Sequence, residues 1–189
     1  MINTATTSTQ RVVRQTKNWV SQVVIGLDLC PFAAQPFNDD RIEYIVSHSN
    51  DTEQDLQELA VCCSILEKKV EIETILLIFP QAYKQFDDYL ELLYLANLLL
   101  DDLNFSGIYQ LASFHPEYHF EGSDINDASN YTNRSPYPML HLLREKSIER
   151  AIKSYNHIEK VPQNNIKNLQ RIGTDAMRKI LKNIQDDIT

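Results

Sequence analysis

The chain predicts an α/β fold, a small three-stranded parallel sheet built from two βαβ units and covered by an N-terminal helix and two C-terminal helices. Three observations carry this. Arg41–Ser47 alternates, with Ile42, Tyr44 and Val46 on one side, the pattern of a half-buried strand. Thr74–Phe79 is a continuous apolar run closed by Pro80, as expected of a central strand buried on both faces. Ile108–Ser113 opens after Gly107 as a third strand, and helical periodicity over 52–69 and 84–103 fills both intervals with crossovers long enough for parallel pairing.

In chain order, residues 1–8 form a Thr/Ser-rich tail with nothing to bury, expected to be mobile, and residues 9–189 form a single globular α/β domain. Val12, Val13, Thr16, Trp19, Val20, Val23, Val24 and Leu27 fall at helical spacing, and Gly26 marks the end of that amphipathic helix. Next comes LDLCPFAAQPF. Proline is favoured at a first helical position, which would make Cys30 the N-cap of a short Pro31–Gln35 turn and lower its thiol pKa. The alternative is that Cys30 is one more small buried residue beside Phe32.

His48-Ser49-Asn50-Asp51 supplies turn and cap residues for helix 52–69, whose inward face is Leu56, Leu59, Ala60, Cys63 and Leu66, with Cys62 lateral. Helix 84–103 turns Phe86, Tyr89, Leu93, Ala96 and Leu100 inward. Beyond the third strand, Pro138 starts a helix to about Tyr155, with Leu140, Leu143, Ile148 and Ala151 on one face and Arg144 inside it. Val161-Pro162 begins a last helix with Ile166, Leu169, Ile172, Ala176 and Ile180 as its seam and Gly173 within it for close packing.

A net charge of −8 argues against a nucleic-acid partner, because that binding draws on a basic surface, and no Lys/Arg stripe is present. The longest apolar stretch, Leu90–Leu100, is interrupted by Glu91 and Asn97, so no membrane span is expected. The N-terminus lacks a secretory pattern, and three cysteines, two of them adjacent, suit a reducing compartment; a cytoplasmic protein is expected. With four glycines in the whole chain, no phosphate-cradling glycine loop is available.

The segment from Phe114 to Pro138, FHPEYHFEGSDINDASNYTNRSPYP, is long, aperiodic and aromatic, and loops of that length in a compact domain are usually functional. It follows the third strand, so it lies at the carboxyl ends of the strands, where α/β sheets bind ligands; His48 and His115 share that rim. Arg134, Ser135 and Arg144, near the N-terminus of the helix expected after Pro138, form a candidate anion site; His115 and His141 are acid/base candidates, and Cys30 a candidate nucleophile. Tyr137 and Glu145 would support them. An arginine inside an apolar stripe needs partners, so Arg144 is expected to bond to carboxylates or carbonyls within 114–137 and pin the loop. If residues 115–119 were extended, His115, Glu117 and His119 would face one way, but no HExxH or paired-cysteine spacing backs a metal site, and no metal or cofactor is expected.

Three motifs, LCPFA (29–33), FHPEYHF (114–120) and NRSPYPMLHLLRE (133–145), together resemble an uncharacterised, mainly bacterial family, a domain of unknown function of about this length. The family pattern keeps Cys30-Pro31-Phe32, His115-Pro116, Arg134 through Pro138, and His141. It leaves position 119 open, which weakens a two-histidine metal face. The resemblance implies a cytoplasmic single domain and carries over no catalytic residue. Two functions are therefore expected: an enzyme or binding protein for a small phosphate- or carboxylate-bearing metabolite, or a non-catalytic interaction protein whose buried polar network fixes the long loop. An open concavity lined by the motif residues would favour the first, a filled hydrogen-bonded core the second.

Overall fold

The computed structural model describes residues 4–155 and 157–186. Its helices are α1 (Thr4–Trp19, continued as a π-helix over Val20–Ile25), α2 (Ala34–Asn38), α3 (Thr52–Lys68), α4 (Phe86–Asp102), α5 (Glu145–Ser154), α6 (Val161–Ile172) and α7 (Thr174–Gln185). Its strands are β1 (Ile42–Val46), β2 (Thr74–Ile78), β3 (Tyr109–Phe114) and β4 (Met139–Arg144), in the spatial order β1-β2-β4-β3.

The fold is α/β as predicted, but its sheet is four-stranded and mixed. β1 and β2 pair in parallel, with Tyr44 opposite Leu76. β4 then enters antiparallel to both β2 and β3, placing His141 opposite Leu76 on one side and Ala112 on the other. The three predicted strands do run in one direction, yet β2 and β3 never touch, and the second unit is a split βαβ with β4 in the gap. The correction lies in MLHLLR, which was predicted as helix. Met139, Leu140 and Leu142 are essentially fully buried, on opposite faces of the sheet, which a central strand requires. A buried apolar run of this length does not distinguish strand from helix by periodicity alone. The helix begins only at Glu145, an acidic residue suited to a first turn.

Two apolar layers sandwich the sheet. Leu59, Cys62, Cys63 and Leu66 of α3 and Phe86, Tyr89, Leu92, Ala96 and Leu100 of α4 pack with Ile75, Leu77, Leu140 and Leu142 on one face. Val12, Trp19, Val20 and Val23, with Leu169 of α6 and Met177, Leu181 and Ile184 of α7, cover Leu76, Ile78 and Met139 on the other. Each such leucine contributes about 2 kcal/mol by leaving water. The C-terminal seam is two helices, not one. Gly173 (φ 86°, ψ 153°) sits in a region that is essentially glycine-only, so it breaks the helix instead of packing inside it. At the other end of the chain α1 starts at Thr4, inside the stretch 1–8 expected to be a tail, of which residues 1–3 lie outside the described residues.

Candidate functional site

The loop at the carboxyl ends of β2 and β3 is held by a dense polar network. His115 is fully buried; its Nδ1 accepts the Glu117 amide N–H (3.0 Å), so the ring proton is on Nε2 and is donated to the Tyr83 carbonyl (2.9 Å). Both nitrogens are used, and burial holds the ring pKa below its usual value. Asn130, also fully buried, accepts from the Phe120 amide and the Ser123 hydroxyl and donates to the Asp124 carbonyl. Arg134 donates to the carbonyls of Tyr118 (2.9 Å) and Ile125 (2.7 Å) and stacks over the Tyr131 ring, while its own carbonyl accepts from Trp19 Nε1. Ser135 donates to the Tyr137 carbonyl, and the Tyr137 hydroxyl bonds to Gln15 of α1. Tyr118 N–H bonds back to the His115 carbonyl, so residues 115–118 form a turn and the extended His115/Glu117/His119 face does not exist.

Arg144 is not part of this network. At the far end of β4, its guanidinium donates to the carbonyls of Leu66 (2.5 Å), Lys69 (3.2 Å) and Ile72 (3.1 Å), where α3 ends. The expected pairing with residues 114–137, and the expected union of Arg144 with Arg134, are both overturned. A six-residue strand separates them, about 20 Å of chain. Arg144 instead lines an open groove of about 650 Å³ with Arg41, Glu73, Lys146, Ser147, Glu149 and Arg150. Four cationic side chains face two carboxylates there, in a protein of net negative charge. Glu73 is matched to Arg41 (2.5 Å), and Arg144 is held by carbonyls and by the hydroxyl of Tyr109, with no carboxylate partner among the described residues. Glu145, a predicted support residue, opens α5 at this end; the helix has no side-chain cap, and the Glu145 N–H is taken by the Ile108 carbonyl.

His141 lies between these two ends, and Cys30 stands in the segment that leads to α2. His141 projects from the middle of β4 toward the α1 side of the sheet, tilted against Phe114 at 6.0 Å, and makes no hydrogen bond among the described residues. The residue is half-buried and its ring is desolvated by the surrounding protein, which lowers its pKa to about 4. Cys30 does not cap a regular helix, since α2 begins at Ala34 with Ala33 at its N-cap. Its thiol does face the N–H groups of Phe32 and Ala33, which favour the thiolate, but burial outweighs them and the net shift is upward. No hydrogen bond links Cys30 to His115 or His141. His48 bonds to Thr9.

Residues that the sequence reading missed tie the rim together. Asp55 is buried in α3 and receives the hydroxyls of Ser47 (2.6 Å, at the end of β1) and Tyr83 (2.7 Å); the Tyr83 carbonyl in turn takes the His115 proton. The available signal was Asp55 standing one turn before Leu59 on an inward face, the same anomaly that drew notice to Arg144. Arg41 and Arg150 carried no such signal, because surface arginines are common.

The family model for a protein of unknown function, DUF1415, matches residues 11–179, and the chain belongs to that family. Neither a curated protein nor a solved structure matches it.

Proposed function

We propose that this family member binds a small anionic metabolite, bearing phosphates or carboxylates, in the groove between the end of the sheet and α5. The observation that supports this is the convergence of Arg41, Arg144, Lys146 and Arg150 on one concavity at an uncapped helix N-terminus. A groove of that size suits a small molecule. Its excess of cations favours a ligand with at least two negative charges. The role first given to Arg134 and Ser135 passes to Arg41, Lys146 and Arg150, while Arg144 keeps its place. The three free cysteines suit a reducing, cytoplasmic setting.

The second reading, a polar network that fixes the loop, accounts for His115, Arg134, Ser135 and Tyr137. It is favoured by one observation: both nitrogens of His115 are committed to backbone groups, leaving none for proton transfer to a ligand. The two readings are compatible, with the loop as scaffold and the groove as site.

Calorimetric titration with pyrophosphate and with citrate at low salt tests the site. Arg150→Glu and Lys146→Glu change exposed side chains and should each weaken binding by about tenfold, ~1.4 kcal/mol. Binding that is indifferent to both reversals, or that is lost with Arg134→Ala at unchanged melting temperature, would remove the groove as the site.

A further inference from the structure

Helix α4 reads FDDYLELLYLANLLLDD and is apolar almost all round, which is the composition of a helix covered on more than one side. Only one side is covered here. Phe86, Tyr89, Leu92, Ala96 and Leu100 pack on the sheet, while Leu90, Tyr94 and Leu98 stand outward at four-residue spacing, 41%, 64% and 43% exposed. Single exposed apolar side chains are ordinary, but three in register on one helix face make a ridge that another helix can pack against.

The charges around the ridge select the occupant. Asp87, Asp88, Glu91, Asp101 and Asp102 are all exposed, and the helix has no lysine or arginine. Asp101 and Asp102 sit in the last turn, where the helix dipole makes carboxylates unfavourable, so helix stability does not explain them. Asp101 receives the Ser106 hydroxyl; Asp102 has no such contact among the described residues. A second copy of the same face would set these acids against one another. An anionic membrane surface would be repelled in the same way.

We propose that the outer face of α4 is a docking surface for a cationic amphipathic helix of a protein partner, with its apolar residues on Leu90, Tyr94 and Leu98 and its lysines or arginines against the acidic rim. This is the helix-on-helix mode of recognition, read out by anchors at i and i+4. It is independent of the groove, which lies at the end of the sheet and uses the opposite charge.

The probe is a synthetic Leu/Lys helix with leucines at four-residue spacing, titrated into the isotopically labelled full chain, beside a control peptide in which serine replaces every leucine. Backbone and methyl shifts should map to Leu90, Tyr94 and Leu98. Tyr94→Ser and Leu98→Ser, both exposed, should weaken binding at least tenfold without lowering the melting temperature, and so should Glu91→Lys with Asp102→Lys. Equal binding of the control peptide, shifts confined to other surfaces, no binding at all, or a concentration-dependent dimer that buries α4 would each overturn the proposal.

Discussion

The Nη2 nitrogen of Arg144 lies 2.5 Å from the carbonyl oxygen of Leu66, joining the end of β4 to the last turn of a helix 78 residues earlier in the chain. The last carbonyls of a helix have no internal partners, and a guanidinium there satisfies several of them while meeting the negative end of the dipole. Lys69 and Ile72, in the turn that leads to β2, are held by the same side chain.

Arg144→Met is therefore expected to loosen the end of α3, not the long loop. Losing charge-assisted bonds to three carbonyls, those of Leu66 and Ile72 partly buried and that of Lys69 exposed, should destabilise the fold by about 3 kcal/mol. Amide exchange should accelerate at residues 66–72, whereas proteolysis between Gly122 and Asn133 should stay at the wild-type rate. The opposite pattern would return Arg144 to the role its place in the sequence implied.

That reversal shows which features were legible in the sequence. Elements whose signal is local were readable: the stripe of α1, the Asp51 cap of α3, whose carboxylate accepts the Gln54 N–H, and the direction of β1, β2 and β3. β4 was not, because Leu140 and Leu143 satisfy a helical stripe as well as Leu140 and Leu142 satisfy a strand, and what decides is the unpaired edge of β2 far away in sequence. Assigning 139–144 to a helix moved its N-terminus from Glu145 to Pro138, and with it put the expected anion site at the loop end of the sheet, opposite the proposed groove. The identity of Arg144 as a residue in need of carbonyl partners was correct. Which carbonyls could not be read, since the pairing depends on strand order.

His141 gives a pH dependence with a definite sign. Its folded pKa of about 4 lies below the ordinary 6.5, so between those values the unfolded chain binds the proton and the folded one does not. Stability is therefore full above pH 6.5 and falls as pH drops toward 4, by about 3 kcal/mol at most from this group. His115, shifted in the same direction, adds to the acid limb. In urea melts from pH 7 to 4 the wild type should lose more stability than His141→Gln; parallel curves would mean that the ring titrates alike in the folded and unfolded chains, its burial offset by an unrecognised acceptor.

Cysteine chemistry separates the three thiols by their surroundings. Cys62 and Cys63 lie in the sheet-facing stripe of α3, 1% and 0% exposed, and burial pushes both pKa values up to about 12. Cys30 is only half-buried, and the N–H groups of Phe32 and Ala33 oppose the burial that raises its pKa. Thiolate fraction changes about tenfold per pKa unit, and the thiolate is the form that alkylates. Iodoacetamide under native conditions should therefore label Cys30 first, with a rate that climbs as pH rises from 7 to 9, while Cys62 and Cys63 react only through opening of α3. Arg144→Met, which frees the end of that helix, should then speed labelling of Cys63 without changing Cys30. If Cys62 or Cys63 reacts as fast as Cys30 in the wild type, α3 opens too readily for its thiols to be inert, and access, not thiolate stability, sets the order.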